Sequence, residues 1–205
     1  MPSLRLIVGI ANSGSQYEET RHNAGAWYVK RLAGIHNIVL KQNNKFSGYT
    51  NSTPLVLFNQ NIQLLIPDSF INLSGKSVAA MAKFYHLALD EILIAHDELN
   101  LAPGIARFKL GGGSGGHNGL KNIISYFGNQ THFYRLRIGI GHPLDLNMIT
   151  SFVLDQPSVK DKKLINHAID EAIFCTTIWL KDGIMKAMNR LHTNLKSNIG
   201  KIERS

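Results

Sequence analysis

A set of polar residues in this chain could hydrolyse an ester or amide with a water molecule. A histidine can take a proton from water, a carboxylate can hold the imidazole in the right tautomer, and amides can stabilise the charge that develops on the attacked carbonyl. The chain offers one imidazole, one carboxylate and three amides for these roles: His22, Asp97, Asn12, Asn72 and Asn118. Such a set requires no nucleophilic serine or cysteine.

Taken one at a time, these residues have ordinary structural interpretations. A histidine before an asparagine often marks a helix start, an aspartate after a strand can cap a turn, and asparagines favour loops. The hydrolytic hypothesis therefore depends on these residues lying close together in the folded chain. Asn12 follows the first predicted strand and Asp97 follows another, and functional residues of open α/β sheets gather at the carboxyl ends of strands.

Two glycine-containing segments resemble phosphate-binding motifs but fail on inspection. Gly75-Lys76-Ser77 resembles the end of a P-loop, yet Phe70 stands where the first glycine belongs. The segment from Gly9 to Gly14 follows a strand like a dinucleotide fingerprint, but its glycine spacing is wrong and a long polar loop comes before the helix. The sequence therefore disfavours a nucleotide-binding function.

Metal and thiol chemistry also lack a supporting pattern. His86, His96 and His117, with Asp97, show none of the i, i+4 or C-x-x-C spacings of common zinc sites, so we predict no metal and no cofactor. The single cysteine, Cys175, lies in a helical apolar pattern and is predicted to be a packed core thiol. The absence of a G-x-S-x-G elbow disfavours a general carboxylesterase.

The charge balance favours an anionic partner. Lys and Arg number 22 against 14 Asp and Glu, and the isoelectric point is about 9.6. Nucleic acid, an anionic membrane surface and a phosphorylated substrate are the candidates, with solubility alone as the alternative. No stretch approaches the ~18 apolar residues of a membrane span, and the amino-terminal apolar run is too short for a signal peptide. We therefore expect a cytoplasmic protein.

Strand and helix patterns alternate through the middle of the chain, which predicts a single α/β domain with a twisted mixed β-sheet and helices on both faces. Strands are predicted at Leu4–Ile10, Ile38–Leu40, Phe46–Thr50, Leu55–Phe58, Ile62–Leu65, Leu93–His96, Ile105–Leu110 and Tyr134–Ile140. Helices are predicted at 24–33, 75–86 and 120–127, after Ser158 and beyond Gly183. The domain is expected to cover residues 1–194, followed by a polar, mobile tail at 195–205.

Local signals refine these elements. Asn23 is expected to cap the first helix and Gly34 to end it. The four short strands between residues 38 and 65 look like antiparallel additions to the sheet. The glycine run at 111–116 must form a loop, which delivers His117 and Asn118 to the start of a helix.

Six segments of the chain resemble, in order and spacing, the bacterial-type peptidyl-tRNA hydrolase family. Any one segment would be weak, but their joint occurrence between Leu6 and about Leu154 is specific. They are IVGIAN at 7–12, TRHNAG at 20–25, FINLSG at 70–75, HDEL at 96–99, KLGGGSGGHNGLK at 109–121 and RLRIGIGHP at 135–143. The resemblance implies an α/β monomer without cofactor, which recycles tRNA from peptidyl-tRNA released by stalled ribosomes.

The resemblance also implies residue roles. It makes His22 the catalytic base, Asp97 its partner and Asn12 a further catalytic residue. It implies a second group that binds the peptide, the reacting carbonyl or the attacking water: Tyr17, Phe70, Ile71, Asn72, His117 and Asn118. It implies a third group that binds tRNA, in which the first two match a pair associated with the 5′ phosphate: Lys109, Arg137, Arg107 and Lys121.

The chain departs from the family pattern at several positions. Ile71 stands where methionine is common, and Ser114 where histidine is frequent. Leu144 replaces the usual glycine after His142-Pro143, while Leu146 and Met148 stand where basic residues are frequent. The sequence therefore leaves open whether the family's tRNA contacts in that loop occur in this chain. A non-catalytic RNA-binding protein on the same fold remains the rival hypothesis.

Overall fold

The computed structural model describes the backbone of residues 3–202 and the side chains of residues 3–193. The last helix continues through Ile202. The side chains of the predicted tail at 195–205, and residues 203–205 altogether, lie outside the described residues. The mobility of this tail stays a prediction.

One mixed sheet organises the described chain, as the sequence predicted. Its strands are β1 (Leu6–Gly9), β2 (Leu40–Asn43), β3 (Gly48–Asn51), β4 (Leu55–Leu57), β5 (Gln60–Pro67), β6 (Ile92–Glu98), β7 (Ala106–Leu110) and β8 (Tyr134–Gly139). Their order is β2-β3-β5-β1-β6-β8-β7, with β4 paired to β5. Strands β5, β1, β6 and β8 are mutually parallel, and the others are antiparallel to their neighbours.

Helices cover both faces of this sheet because its central strands are apolar on both sides. The helices are α1 (Ala24–Ile35), α2 (Ser74–Phe84), α3 (Asn118–Tyr126), α4 (Ile149–Val153), α5 (Val159–Asp182) and α6 (Ile184–Ile202). Ile7 of β1 packs in one core cluster with Val29 of α1 and Ile169 of α5. Its neighbour Val8 packs in the other cluster, with Val78 of α2. The predicted α/β class with helices on both faces is thus confirmed.

Two local predictions were wrong because tertiary contacts override them. β5 runs parallel to β1 and lies inside the sheet, whereas β2, β3 and β4 are antiparallel as expected. Gly34 lies within α1, which continues to Ile35. The chain turns only at Asn37, whose φ of 54° is the left-handed conformation that asparagine tolerates.

The glycine loop at 111–116 runs back along the sheet, a path that the sequence did not reveal. β7 is antiparallel to β8, so the last residue of β7, Leu110, pairs with Tyr134 at the start of β8. Asp97 pairs with Ile138 near the opposite end of β8. Residues 111–117 must therefore carry the chain back to the end of the strands where Asp97 lies. Positive φ angles at Gly112 and Gly116 allow this return.

Cys175 is fully buried, as predicted for a core thiol, and burial raises the pKa of its thiol to about 11. None of the helices within residues 3–202 combines the length and apolar composition needed to cross a bilayer.

Candidate active site

The structure joins His22 and Asp97, which are far apart in sequence. His22 lies in a short 3-10 turn, Arg21–Asn23, just before α1, and Asp97 lies near the end of β6. Nδ1 of His22 is 2.9 Å from Oδ1 and 3.0 Å from Oδ2 of Asp97. Because an ionised carboxylate only accepts hydrogen bonds, Nδ1 carries the proton. The neutral ring then presents Nε2 as the atom that can receive a proton.

A second imidazole binds the same carboxylate. Nε2 of His117 is 2.9 Å from Oδ1 of Asp97. Nδ1 of His117 accepts hydrogen bonds from the backbone N–H groups of Gly119 and Leu120, at 3.1 and 3.4 Å, and so caps α3. In this arrangement Nε2 of His117 is the donor to Asp97 and Nδ1 is the acceptor. The sequence had suggested only substrate contact for His117, and that role stays a prediction.

The electrostatics keep Asp97 charged and make His22 more basic. Burial alone would raise the pKa of Asp97, but the two imidazoles hold it well below its usual range. Burial alone would lower the pKa of His22, but the charge and hydrogen bond of Asp97 outweigh burial and raise it above 6.5. An anionic carboxylate under a more basic imidazole is the arrangement that a general base requires.

Asn12 is held by backbone and side-chain contacts on both sides. Its backbone N–H donates to Oδ1 of Asn23 at 2.8 Å, and its carbonyl accepts from Nδ2 of Asn23 at 3.0 Å. Asn23 makes no side-chain cap on α1, so that prediction was wrong. Oδ1 of Asn12 accepts from the N–H of Ile71 at 2.8 Å, which leaves Nδ2 of Asn12 as a donor.

A cavity of about 480 Å³ brings the candidate residues together. All five polar residues singled out from the sequence line it, and the amides of Asn72 and Asn118 are exposed. His117, Phe70 and Ile71 also line it. One part of the wall is largely apolar and comes from α4 and the residue after it: Ile149, Thr150, Val153 and Leu154.

Tyr17 lies one layer outside this cavity. It is not among the lining residues, and its ring packs edge-on against Phe70 with centroids 6.4 Å apart. Phe70 itself lines the cavity and is 56% exposed. In this structure Tyr17 therefore contacts a lining residue, and its direct binding of substrate stays a prediction.

The basic residues occupy a neighbouring surface on β7 and β8. The two strands pair, and their register places Arg107 opposite Arg137 and Arg135 opposite Lys109. Lys109 and Arg137 are thus diagonal neighbours, still within reach of long side chains. Nε of Arg137 donates to Oε2 of Glu98 at 2.9 Å, a partner that the sequence gave no signal for.

Two other cations, Arg135 and Lys121, belong to the elements around this basic surface. Arg135 is buried, and its guanidinium donates to the carbonyls of Gly112 and Gly113, so it holds the glycine loop. Sequence reasoning assigned Arg135 no role, because that contact depends on how the loop returns across the sheet. Lys121 is exposed on α3, the helix that the loop leads into.

His22, Asp97 and His117 also have the residue types of a metal site. Their potential ligand atoms lie within 4.8 Å of one another. A metal at this point would need a lone pair on Nε2 of His117, but that nitrogen carries the proton that Asp97 accepts. Hydrogen bonds to the two histidines therefore satisfy Asp97 in the arrangement seen here.

Comparisons with known proteins show the family to which this sequence and fold are similar. A family model described as peptidyl-tRNA hydrolase matches residues 6–199. Peptidyl-tRNA hydrolase of Pectobacterium carotovorum is 59% identical over 192 residues, covering 94% of this chain and 97% of the relative. That of Yersinia enterocolitica is 58% identical over 193 residues, with the same shares covered. The crystal structure of peptidyl-tRNA hydrolase from Acinetobacter baumannii superposes with a TM-score of 0.89 at 41% identity, covering 94% of this chain and 96% of that one. The chain therefore belongs to the peptidyl-tRNA hydrolase family.

Proposed function

We propose that this protein hydrolyses the ester bond between the peptide and the 3′ end of tRNA in peptidyl-tRNA. The observation that carries the proposal is the hydrogen bond from Nδ1 of His22 to the buried Asp97, inside a cavity lined by three amides. A relative named peptidyl-tRNA hydrolase, 59% identical over 192 residues that cover 94% of this chain, supports the choice of substrate.

The reaction follows from the geometry. Nε2 of His22 takes a proton from a water molecule, whose oxygen attacks the ester carbonyl, while Asp97 stabilises the imidazolium. Amide N–H groups of Asn12 and Asn118 stabilise the resulting oxyanion and hold the water, and Asn72 holds the peptide backbone. The intermediate collapses with loss of the ribose 3′ oxygen, which receives the proton from His22. The products are a free peptide carboxylate and tRNA with a free 3′ hydroxyl.

The protein would act as a cytoplasmic monomer without cofactor or metal, and would recycle tRNA from stalled or aborted translation. The net charge of +8 supports a polyanionic partner. Arg137 donates to Glu98, which lines the cavity, and Lys121 lies on α3, whose first residue, Asn118, also lines it. These contacts support tRNA binding by the basic residues of β7, β8 and α3 while the ester occupies the cavity.

The proposal is tested by incubating the purified protein with N-acetylaminoacyl-tRNA in a buffer that contains a strong chelator. We expect release of free tRNA and N-acetylamino acid, with no cleavage of a small carboxylester that lacks tRNA. A folded protein that binds the tRNA without cleaving it would instead establish the non-catalytic RNA-binding alternative. Activity that the chelator abolishes and zinc restores would contradict the metal-free mechanism.

The diagonal pair Lys109 and Arg137 is expected to bind the 5′ phosphate of the tRNA. Charged hydrogen bonds contribute about 1.5–3 kcal/mol, so Lys109→Ala with Arg137→Gln should raise KM at least about tenfold with little change in kcat. Glutamine is chosen because it can still donate to Glu98. The measurement is KM on full and on 5′-dephosphorylated N-acetylaminoacyl-tRNA across a salt series.

The matched control removes the same charge from another surface. Lys41 on β2 and Lys83 on α2 are exposed, and β2 is at the far edge of the sheet from β7. Lys41→Ala with Lys83→Ala should leave KM nearly unchanged. In the Lys109→Ala, Arg137→Gln variant, KM should also depend less on salt concentration, because fewer counterions are released when the tRNA binds. Equal losses on the two substrates would show that Lys109 and Arg137 do not read the 5′ phosphate.

A further inference from the structure

Three exposed apolar side chains stand on the segment that joins β8 to α4. Leu144 is fully exposed, Leu146 is 68% exposed and Met148 is 52% exposed. We call Leu144, Leu146 and Met148 the apolar rim. Exposed side chains of this kind are common singly, but three within five residues beside a cavity indicate a binding surface.

Hydrogen bonds give the rim a defined shape. Oδ1 of Asp145 accepts from the N–H of Asn147 at 2.9 Å, and the carbonyl of Asp145 accepts from the N–H of Met148 at 3.0 Å. These bonds close a 3-10 turn over Leu146–Met148 that leads directly into α4. The hydroxyl of Ser151 donates to the carbonyl of Met148 at 2.9 Å. These bonds fix the backbone of the turn on which the exposed side chains of Leu146 and Met148 stand.

The rim is continuous with the catalytic cavity. Ile149, the residue after Met148, lines the cavity, as do Val153 and Leu154. Arg21 fixes the far end of α4, because its Nη1 donates to the carbonyls of Phe152 and Asp155 at 3.0 and 3.2 Å. Arg21 immediately precedes His22 in the chain. The apolar wall, and the rim that extends it, are thereby tied to the segment that carries the catalytic base.

The charge of this segment argues for peptide and against RNA as its occupant. The chain contains no lysine or arginine between Arg137 and Lys160, but it does contain Asp145 and Asp155. With its histidine, His142, neutral, this segment carries net negative charge, which disfavours contact with phosphate. The rim side chains are aliphatic, so they also lack the rings on which nucleobases stack. The cations lie on β7 and β8 instead.

We propose that the apolar rim covers the peptide part of peptidyl-tRNA and makes the protein favour peptides with apolar side chains next to the ester-linked residue. The inference rests on the proposed hydrolysis and names its preferred class of substrate. An apolar group placed against a hydrophobic surface discriminates by about tenfold. We therefore expect about that preference for leucine over serine at the penultimate position of the peptide.

The experiment uses two substrates with the same tRNA and the same ester, N-acetyl-leucyl-lysyl-tRNA and N-acetyl-seryl-lysyl-tRNA. The quantity measured is the ratio of their kcat/KM values. In the wild-type protein this ratio should be about ten. In Leu146→Gln with Met148→Gln, whose neutral side chains are polar and of similar size, it should fall towards one. The change should come mainly from slower cleavage of the leucyl substrate.

The matched control replaces two other exposed aliphatic side chains, Val39 and Val56, which do not line the cavity. Val39→Gln with Val56→Gln should keep the wild-type ratio. A wild-type ratio near one, or a ratio unchanged in the rim variant, would overturn the proposal. Equal losses on both substrates would assign the rim to tRNA or to folding, and would also overturn it. Failure of the wild-type protein to cleave either substrate would instead contradict the proposed hydrolysis.

Discussion

His22→Ala is expected to lower kcat by about 10²- to 10⁴-fold, the usual contribution of a general base. The ring nitrogen that takes the proton from water disappears, while the amides and the basic surface on β7 and β8 remain. KM for N-acetylaminoacyl-tRNA should therefore stay close to the wild-type value. The measurement is steady-state kinetics on that substrate, together with a direct tRNA-binding titration.

The control for this variant is His117→Ala, which also removes one donor to Asp97 but leaves the proton acceptor in place. Its loss of kcat should be clearly smaller than that of His22→Ala. Folding of both variants can be confirmed by thermal unfolding. Near-normal turnover by folded His22→Ala would remove His22 from the mechanism.

Asp97→Asn is expected to lower kcat by a similar factor, up to about 10⁴-fold as in other histidine–aspartate pairs. Two imidazole N–H groups now donate to Asp97, with Oδ1 accepting from both. An asparagine offers one oxygen acceptor, and its NH₂ group opposes the Nδ1 proton of His22. The variant therefore favours the wrong tautomer of His22 and removes the charge that stabilises the imidazolium.

The same variant should change the pH dependence in a defined direction. His22 acts as a base only when neutral, so activity falls as the pH falls through its pKa. That pKa lies above 6.5 because Asp97 raises it, and burial alone would lower it. Removing the carboxylate leaves only the effect of burial, so the acid limb of residual kcat/KM should move to lower pH. An acid limb that stays in place would show that another group limits the rate.

The sequence predicted much of the site because its parts carry local signals. The first strand ends in a loop that contains Asn12, and the glycine run before His117 and Asn118 had to be a loop. The polar residues at strand ends were therefore expected to converge, and the cavity contains them.

The contacts that fix these residues were not predictable in the same way. Asn23 was expected to cap α1, but it instead binds the backbone of Asn12. The second donor to Asp97, His117, becomes visible only when the loop at 111–117 is seen to return across the sheet. Arg135, which holds that loop, has an ordinary strand position in the sequence. Each of these interactions joins residues that no local pattern relates.

The most direct test of the account is the titration of the His22 imidazole by NMR in the wild-type protein. The pKa measured this way should lie above 6.5 and should equal the pKa of the acid limb of kcat/KM, since one group is responsible for both. A His22 pKa at or below 6.5, or one that differs from the kinetic value, would contradict the assignment of His22, held by Asp97, as the base that activates water.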